Sequence, residues 1–381
     1  MRHLGGRRKA PIRAVSWRID HARHPEATWP HRLDFSHIPV VELGGLQGNP
    51  STRRALAGRL REICHEIGFL VITDFGVDPS VTGDVFDLMD AFFALPEADK
   101  ALIDKARSPH FRGWEAVGAE QTNNRVDVRE QIDLWSEWPV DAGGGAAYLQ
   151  LLGPNQWMPD QLLPGGRAVM ERWFGELGVL ADRLLGLMSV GLGLAEDHLV
   201  TYFGDQPMSL TKLINYPPTP AGQAGVNAHH DTGFLTLLAT GPVPGLQVQN
   251  PSGEWIDVPP RPDGLVVNLG ELLQAMTGNY LVATKHRVIT DRRRRSAAYF
   301  HGPSLDARLD VLPRDASFRE AVAASDRHVG AGFMAQRAET EAGVADMASD
   351  HRPDTYGEQL WNYFARSYPE LMERHYPAAA R

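Results

Sequence analysis

The chain has 381 residues, 43% of them hydrophobic and 22% charged, and a net charge of −9 at pH 7. This composition is typical of a globular protein with a large core. The negative charge argues against a general nucleic-acid binder, which needs a basic excess to neutralise phosphates. No apolar run reaches the roughly 18 residues of a transmembrane helix, so we expect no membrane partner. The single cysteine, Cys64, excludes an intrachain disulfide and fits a reducing cytoplasm.

Residues 1–36 are rich in arginine and histidine and lack apolar periodicity, which predicts a basic, mobile N-terminal arm. Residues 37–205 mix apolar runs of strand and helix spacing, which predicts a mixed, largely helical N-terminal region. Its expected elements are a strand at 38–43, a helix at 53–67 capped by Ser51 or Thr52, a strand at 68–72, a helix from Pro79 or Ser80 to Phe93, a polar loop at 108–124 and a long helix at 164–203.

The period of the apolar pattern changes in residues 206–304, where short apolar runs are separated by turn residues. The main runs occupy 213–216, 233–239, 246–249, 255–258, 264–269, 280–284, 286–290 and 296–300. Many short strands at regular spacing predict a β-sandwich or barrel. Residues 305–381 return to helical or loop character and are predicted to form a helical C-terminal extension, with a helix around 356–364.

One triplet in the β-rich segment has the spacing of metal ligands. Two histidines and one carboxylate on one face hold Fe(II) and leave three coordination positions free for O₂ chemistry. In a strand, residues i and i+2 point to the same side, so His229 and Asp231 share a face and His230 points away. His286, further along the same segment, is the candidate third ligand.

An Arg-x-Ser motif follows His286 and has the donors to bind a carboxylate. The guanidinium of Arg294 offers a planar fork that matches a carboxylate, and the hydroxyl of Ser296 reaches the same anion from the same face. Tyr216 could add a phenol donor. We interpret Arg295 as pointing to the opposite side of the strand.

Ten stretches of the sequence together match a known family. They are 38–41, 67–70, 92–96 with Lys100, 129–133, 215–218, 229–238, 245–248, 268–271, 286–288 and 294–296. On these residues the chain resembles the isopenicillin N synthase-like branch of the 2-oxoglutarate/Fe(II) oxygenases. One departure is that the family often has Asn-Tyr-Tyr-Pro where this chain has only Asn215–Tyr216–Pro217, which leaves the role of Asn215 open.

The resemblance implies a mainly β fold with flanking helices, built on a double-stranded β-helix (jelly-roll) core. It implies two sets of ligands, which are His229, Asp231 and His286 for catalytic Fe(II), and Arg294, Ser296 and Tyr216 for the co-substrate 2-oxoglutarate. The implied reaction uses O₂, releases succinate and CO₂, and oxidises a small-molecule substrate, by default through hydroxylation. Desaturation and ring closure remain alternative outcomes.

Two alternatives to this function stay open at this point. The chain could be an iron oxidase that uses no 2-oxoglutarate, as isopenicillin N synthase does, or a catalytically silent jelly-roll binding protein. A zinc enzyme fits the open ligand set less well. Residues 110–138, which include Arg129, Trp135 and Trp138, are the expected lid and pocket wall. We expect a monomer or a weak homo-oligomer.

Overall fold

The computed structural model describes residues 34–44, 48–123, 125–141, 145–313, 315–325, 328 and 354–377. Of the predicted basic arm, residues 1–33 therefore lie outside the described residues. Among the residues that are described, no helix combines the length and the apolar character that a bilayer crossing requires.

The N-terminal region contains both strands and helices. Its helices are α1 (Pro50–Glu66), α2 (Pro79–Phe93), α3 (Glu97–Lys100) and α4 (Gly166–Gly191). Its strands are β1 (Val40–Glu42), β2 (Phe69–Thr73), β3 (Gly113–Glu115), β4 (Gln121–Thr122), β5 (Arg125–Val126) and β6 (Glu130–Trp135). The predicted polar loop at 108–124 is therefore wrong in part, because β3 and β4 lie within it.

Two predicted helix ends differ from the structure. The cap of α1 is Asn49 and not Ser51 or Thr52, because the Asn49 side chain accepts hydrogen bonds from both of their backbone N–H groups, each at 3.0 Å. The long helix α4 ends at Gly191 and does not reach residue 203, since the chain turns at Gly193, whose φ is +76°.

Eight strands follow and form the centre of the fold. They are β7 (Leu210–Tyr216), β8 (Val226–His229), β9 (Leu235–Thr240), β10 (Leu246–Gln249), β11 (Trp255–Asp257), β12 (Gly264–Leu269), β13 (His286–Val288) and β14 (Arg294–His301). Within the described ranges, the α-helices that follow α4 are α5 (Glu271–Met276), α6 (Ala316–Ala323), α7 (Tyr356–Ser367) and α8 (Pro369–His375).

The eight central strands divide between two sheets. The larger sheet has the order β1-β2-β12-β9-β14-β7-β6-β3, and the smaller has the order β11-β10-β13-β8. Successive strands from β7 to β14 alternate between the sheets, except that β10 and β11 pair as an antiparallel hairpin. This arrangement is the jelly-roll core that was expected. Four strands from the N-terminal region extend the larger sheet at both edges.

Helices cover the outer face of the larger sheet. Trp173 of α4 is buried and donates from its indole N–H to Thr211 of β7, at 3.1 Å. The ring of Phe174 meets Tyr299 of β14 edge-on, with centroids 5.8 Å apart. Each large side chain buried here contributes about 1.5–3 kcal/mol of hydrophobic free energy. The opposite face of the larger sheet lines a cavity together with the smaller sheet.

The strand predicted at 280–284 does not form. Its apolar side chains are buried, but its backbone N–H groups donate to acceptors that lie outside any strand. Val282 donates to the carbonyl of Cys64 at 3.0 Å, and Ala283 donates to the side chain of Gln274 at 2.7 Å. The apolar run therefore reflects packing against α1 and α5, which periodicity alone cannot separate from a buried strand.

Candidate active site

Two histidines meet across the smaller sheet. His229 ends β8 and His286 begins β13, and the two residues are direct partners in the antiparallel ladder, with ring centroids 4.3 Å apart. Asp231 lies two residues beyond the end of β8. Its Oδ1 is 3.6 Å from Nε2 of His229 and 3.5 Å from Nε2 of His286. Within the described ranges this is the one cluster of three or more His, Cys, Asp or Glu side chains that could hold a metal ion.

Hydrogen bonds fix which nitrogen each histidine turns toward the cluster. Nδ1 of His229 lies 2.8 Å from the carbonyl oxygen of Asn227, and Nδ1 of His286 lies 3.1 Å from that of Thr284. Each Nδ1–H therefore donates to a backbone carbonyl, which leaves the lone pair on Nε2 for a metal.

The carboxylate of Asp231 is held on one side only. Its Oδ2 accepts hydrogen bonds from the hydroxyl of Thr236, at 2.5 Å, and from Nδ2 of Asn268, at 2.7 Å. The backbone N–H of Glu271, at the start of α5, donates to the Asp231 carbonyl at 2.7 Å. Gly270 permits this approach, because a Cβ there would lie 2.0 Å from the carbonyl oxygen of Gly233. Oδ1 is therefore left facing the two histidines.

Burial and charge set the protonation of the three side chains. Burial alone would raise the pKa of Asp231, but His286 and His229 outweigh it and lower that pKa, so the carboxylate is ionised. Burial and the neighbouring His229 lower the pKa of His286 to about 4. Burial would also lower the pKa of His229, but the neighbouring Asp231 carboxylate raises it overall. An ionised carboxylate and a neutral His286 are the forms that bind a metal.

The Thr236 hydroxyl gives a first prediction. Thr236→Val removes the donor while keeping the shape, so Asp231 is less firmly oriented. We expect Fe(II) affinity to fall by about 10- to 100-fold, the usual cost of losing a partner of a metal ligand. Anaerobic titration of the metal-free protein measures it. The matched control is Thr201→Val, at an exposed threonine whose hydroxyl bonds the carbonyl of His198. Equal affinity in both variants would contradict this role.

The predicted acid-binding residues meet on the inner face of the larger sheet. Arg294 is 1% exposed, and its Nη1 lies 3.3 Å from the hydroxyl of Ser296, which lies 3.4 Å from the hydroxyl of Tyr216. Nε and Nη2 of Arg294 are buried without a hydrogen-bond partner in the part of the chain that the structure describes. Leaving such donors unpaired costs free energy, and a bound carboxylate would satisfy them.

The neighbouring arginine points the other way. Nη1 of Arg295 lies 2.5 Å from Oδ2 of Asp90 and 3.0 Å from the carbonyl oxygen of Phe86, both on α2. Asn215, whose role the sequence left open, accepts from Nε of Arg293 at 2.9 Å and donates to Glu130 at 2.8 Å. It therefore connects β7 to its neighbours and lies outside the acid-binding cluster.

A single cavity of about 480 Å³ contains both clusters. Its size suits a small molecule together with an acid co-substrate. The predicted wall at 110–138 is correct only in part, since Arg129 and Trp135 line the cavity. Phe111 is buried away from the cavity, and Trp138 donates from its indole N–H to the Pro207 carbonyl at 3.0 Å.

His230 is also placed differently from the prediction. It does not join the three-residue cluster, but it lines the same cavity, and its Nδ1 lies 3.8 Å from Oε1 of Glu271. The strict strand alternation used to place it away from the cavity fails, because β8 ends at His229.

The C-terminal helices form a cavity wall that we did not predict. Tyr356, Leu360, Tyr363 and Phe364 of α7 line the cavity. Their spacing along the chain is that of one helical face, so the sequence shows the face but not what it packs against. Phe364 stacks on Phe111 with centroids 4.2 Å apart, which ties this wall to the N-terminal region.

Buried ion pairs also line the cavity. Nζ of Lys212, on β7, lies 3.1 Å from both Glu120 Oε1 and Asp133 Oδ2. Nη2 of Arg129 lies 2.8 Å from Glu120 Oε2. Burial alone would lower the pKa of Lys212, but Asp133 and Glu120 raise it overall, so the ammonium stays charged.

Two family models match the chain. Residues 38–160 match the N-terminal region described as non-haem dioxygenase in morphine synthesis, and residues 197–303 match the 2OG-Fe(II) oxygenase superfamily. The 2-oxoglutarate-dependent dioxygenase frbJ of a Dothideomycetidae species is 34% identical over 290 residues, which cover 74% of this chain and 78% of that protein. The chain therefore belongs to the 2OG-Fe(II) oxygenases.

Other relatives and solved structures agree on the class. The homoarginine-6-hydroxylase 2-ODD-C23 of Glycine max is 29% identical, over 73% of this chain and 89% of that protein. The structure of JOX2 with 2OG, Fe and JA has a TM-score of 0.60 at 25% identity and covers 72% of this chain and 78% of that one. A full-length Neurospora crassa protein in complex with alpha-KG and thymine has a TM-score of 0.65 at 24% identity, over 74% and 91%, which shows the shared fold.

This protein is an Fe(II)- and 2-oxoglutarate-dependent dioxygenase that acts on a small molecule. The predicted family, fold and cofactors are confirmed. Among the functions considered, these likenesses favour the 2-oxoglutarate-dependent enzyme over an oxidase without that co-substrate and over a silent binding protein.

Proposed function

We propose that His229, Asp231 and His286 bind the Fe(II), and that Arg294 with Ser296 and Tyr216 binds the distal carboxylate of 2-oxoglutarate. The observation that carries this assignment is the shared cavity of about 480 Å³. It brings a three-ligand cluster together with a buried guanidinium whose Nε and Nη2 have no partner in the described ranges.

The donor set fits the group it would hold. Two imidazole nitrogens and one carboxylate oxygen are the ligands of non-haem Fe(II) oxygenases, and they leave positions open. When bound, the iron supplies the activation of O₂. The protein side chains bind and orient: Thr236 and Asn268 turn Oδ1 of Asp231 toward the metal position.

We propose hydroxylation as the reaction outcome. The names of relatives and the ligands in neighbouring structures cover chemically different small molecules, including homoarginine, thymine and JA. The aromatic wall of α7 and the ion pairs around Lys212 give this cavity both apolar and charged surface. The substrate is therefore proposed as a small molecule with both kinds of surface.

A substrate panel tests this function. The metal-free protein is loaded anaerobically with Fe(II) and 2-oxoglutarate, then exposed to O₂ with each candidate, and succinate and product mass are measured. We expect succinate in equal amount to a product heavier by one oxygen atom. A product lighter by two hydrogens would indicate desaturation or ring closure. O₂ consumption that does not require 2-oxoglutarate would replace our proposal with the oxidase.

We also propose a cytoplasmic protein that is a monomer or weak homo-oligomer and binds neither nucleic acid nor membranes. The net charge of −9 and the buried, unpaired thiol of Cys64 support these statements. Light scattering coupled to size-exclusion chromatography measures the oligomeric state.

We further propose residues 206–304 as the catalytic core, between an N-terminal region at 37–205 and a C-terminal extension at 305–381.

A further inference from the structure

The strand that carries His229 lies at the edge of its sheet. β8 is the last strand of the smaller sheet, and its ladder with β13 shifts register between His286 and Val288. An edge strand with an irregular ladder is held weakly by backbone bonds alone. Something else must fix its position if His229 is to hold a metal with a defined geometry.

The β4–β5 hairpin occupies that free edge through side chains. Nδ2 of Asn123 donates to the carbonyl of Ala228 at 2.5 Å. Nδ2 of Asn227 donates in return to the carbonyls of Arg125 and Val126, at 3.3 and 3.2 Å. The hairpin and β8 thus bond to each other in both directions at the two residues that precede His229.

Asp127 is the centre of this contact. It is 0% exposed, and its Oδ1 accepts from both the backbone N–H of Asn227, at 3.0 Å, and the side-chain Nδ2 of Asn227, at 2.8 Å. Its Oδ2 accepts from the hydroxyl of Thr122 at 2.6 Å and lies 3.1 Å from Nη2 of Arg129. Four donors therefore hold this carboxylate, and two of them belong to Asn227.

We propose that Asp127 is a positioning residue for His229 and acts through Asn227. Asp127 holds Asn227 through both its backbone N–H and its side-chain amide, and the carbonyl of Asn227 accepts the Nδ1–H of His229 at 2.8 Å. The orientation of the imidazole thus depends on a carboxylate in the N-terminal region. His286 has no such need, because its strand lies inside the sheet. The proposal rests on the proposed role of His229 as a metal ligand.

Two substitutions weaken this contact. Asp127→Asn keeps the size of the side chain and one acceptor oxygen. It removes the negative charge that the two donors of Asn227 and the guanidinium of Arg129 contact. Asn227→Ala removes the side-chain bonds to Asp127 and the hairpin, and it leaves the backbone carbonyl that His229 uses. The matched control is Val126→Thr, on the same hairpin, at a side chain that is 54% exposed.

Anaerobic titration of the metal-free proteins with Fe(II) gives the main measurement. We expect both variants to bind Fe(II) about 10- to 100-fold more weakly than the unchanged protein and Val126→Thr. The visible spectrum after loading with Co(II), which reports coordination geometry, should also change in both variants. KM for 2-oxoglutarate should stay within about twofold, because Arg294 lies on the other sheet.

Outcomes that contradict the proposal are distinct from failure of the metal site. Both variants could melt at a lower temperature and yet bind Fe(II) and Co(II) normally well below that temperature. In that case Asp127 is only structural and the proposal is wrong. If Asp127→Asn does not fold, Asn227→Ala decides alone. If His229→Ala binds Fe(II) as tightly as the unchanged protein, the assignment of His229 as a ligand has failed instead.

Discussion

His229→Ala, Asp231→Ala and His286→Ala should each lose Fe(II) and turnover while the protein remains folded. Each change leaves two ligands in a site that needs three, and the remaining pair cannot hold the ion in place. We expect activity to fall by more than about 100-fold, the upper end of what losing only a supporting partner costs. Metal content after dialysis and succinate production measure the two effects, and circular dichroism checks the fold.

His230→Ala is the matched control for these three variants. His230 lies between two proposed ligands and lines the same cavity, but it is outside the cluster of ligand atoms. It should therefore retain Fe(II), whatever its effect on the substrate. Loss of iron equal to that of His229→Ala would show that the assignment of His229, and not His230, as the ligand is wrong.

Arg294→Lys should weaken 2-oxoglutarate binding by roughly 10- to 150-fold. Lysine keeps the charge but loses the planar fork, so one charge-assisted hydrogen bond of about 1.5–3 kcal/mol is lost. The effect should appear in KM for 2-oxoglutarate and in calorimetric binding to the iron-loaded protein. Fe(II) affinity should hardly change, because Arg294 lies on β14 and the ligands lie on or beside the smaller sheet.

Arg295→Lys tests whether this effect is specific to one face of the strand. Its guanidinium contacts Asp90 and Phe86 on α2, on the covered side of the sheet. We expect a small loss of stability and an unchanged KM for 2-oxoglutarate. Equal damage to KM from both variants would mean that strand parity does not explain which arginine binds the acid.

Two pairs of the proposed site residues could be predicted from the sequence, because the members of each pair follow local spacing. Arg294 and Ser296 lie two residues apart on one strand, so both point inward as the alternation requires. His229 and Asp231 also come together, although Asp231 lies past the end of β8, and there the bonds to Thr236 and Asn268 place the carboxylate. Alternation alone placed His230 incorrectly for the same reason.

The supporting residues could not be found in this way. Asp127 and Asn227 are a hundred positions apart, and only the packing of the hairpin on β8 brings them together. The cavity wall on α7 similarly depends on how the C-terminal helices dock against Phe111. The N-terminal strands that widen the larger sheet are a further case, since pairing between distant strands leaves no local pattern.

The proposed ligands for iron and 2-oxoglutarate and the α7 wall of the cavity come from different parts of the chain. The proposed metal and acid ligands lie between Tyr216 and Ser296, while one whole wall of the cavity comes from a helix that begins at Tyr356. Changes at Leu360 or Tyr363 can therefore reshape the space for the substrate without altering a metal ligand. In evolutionary terms, the oxidative chemistry can be inherited unchanged while substrate preference diverges through the C-terminal helices.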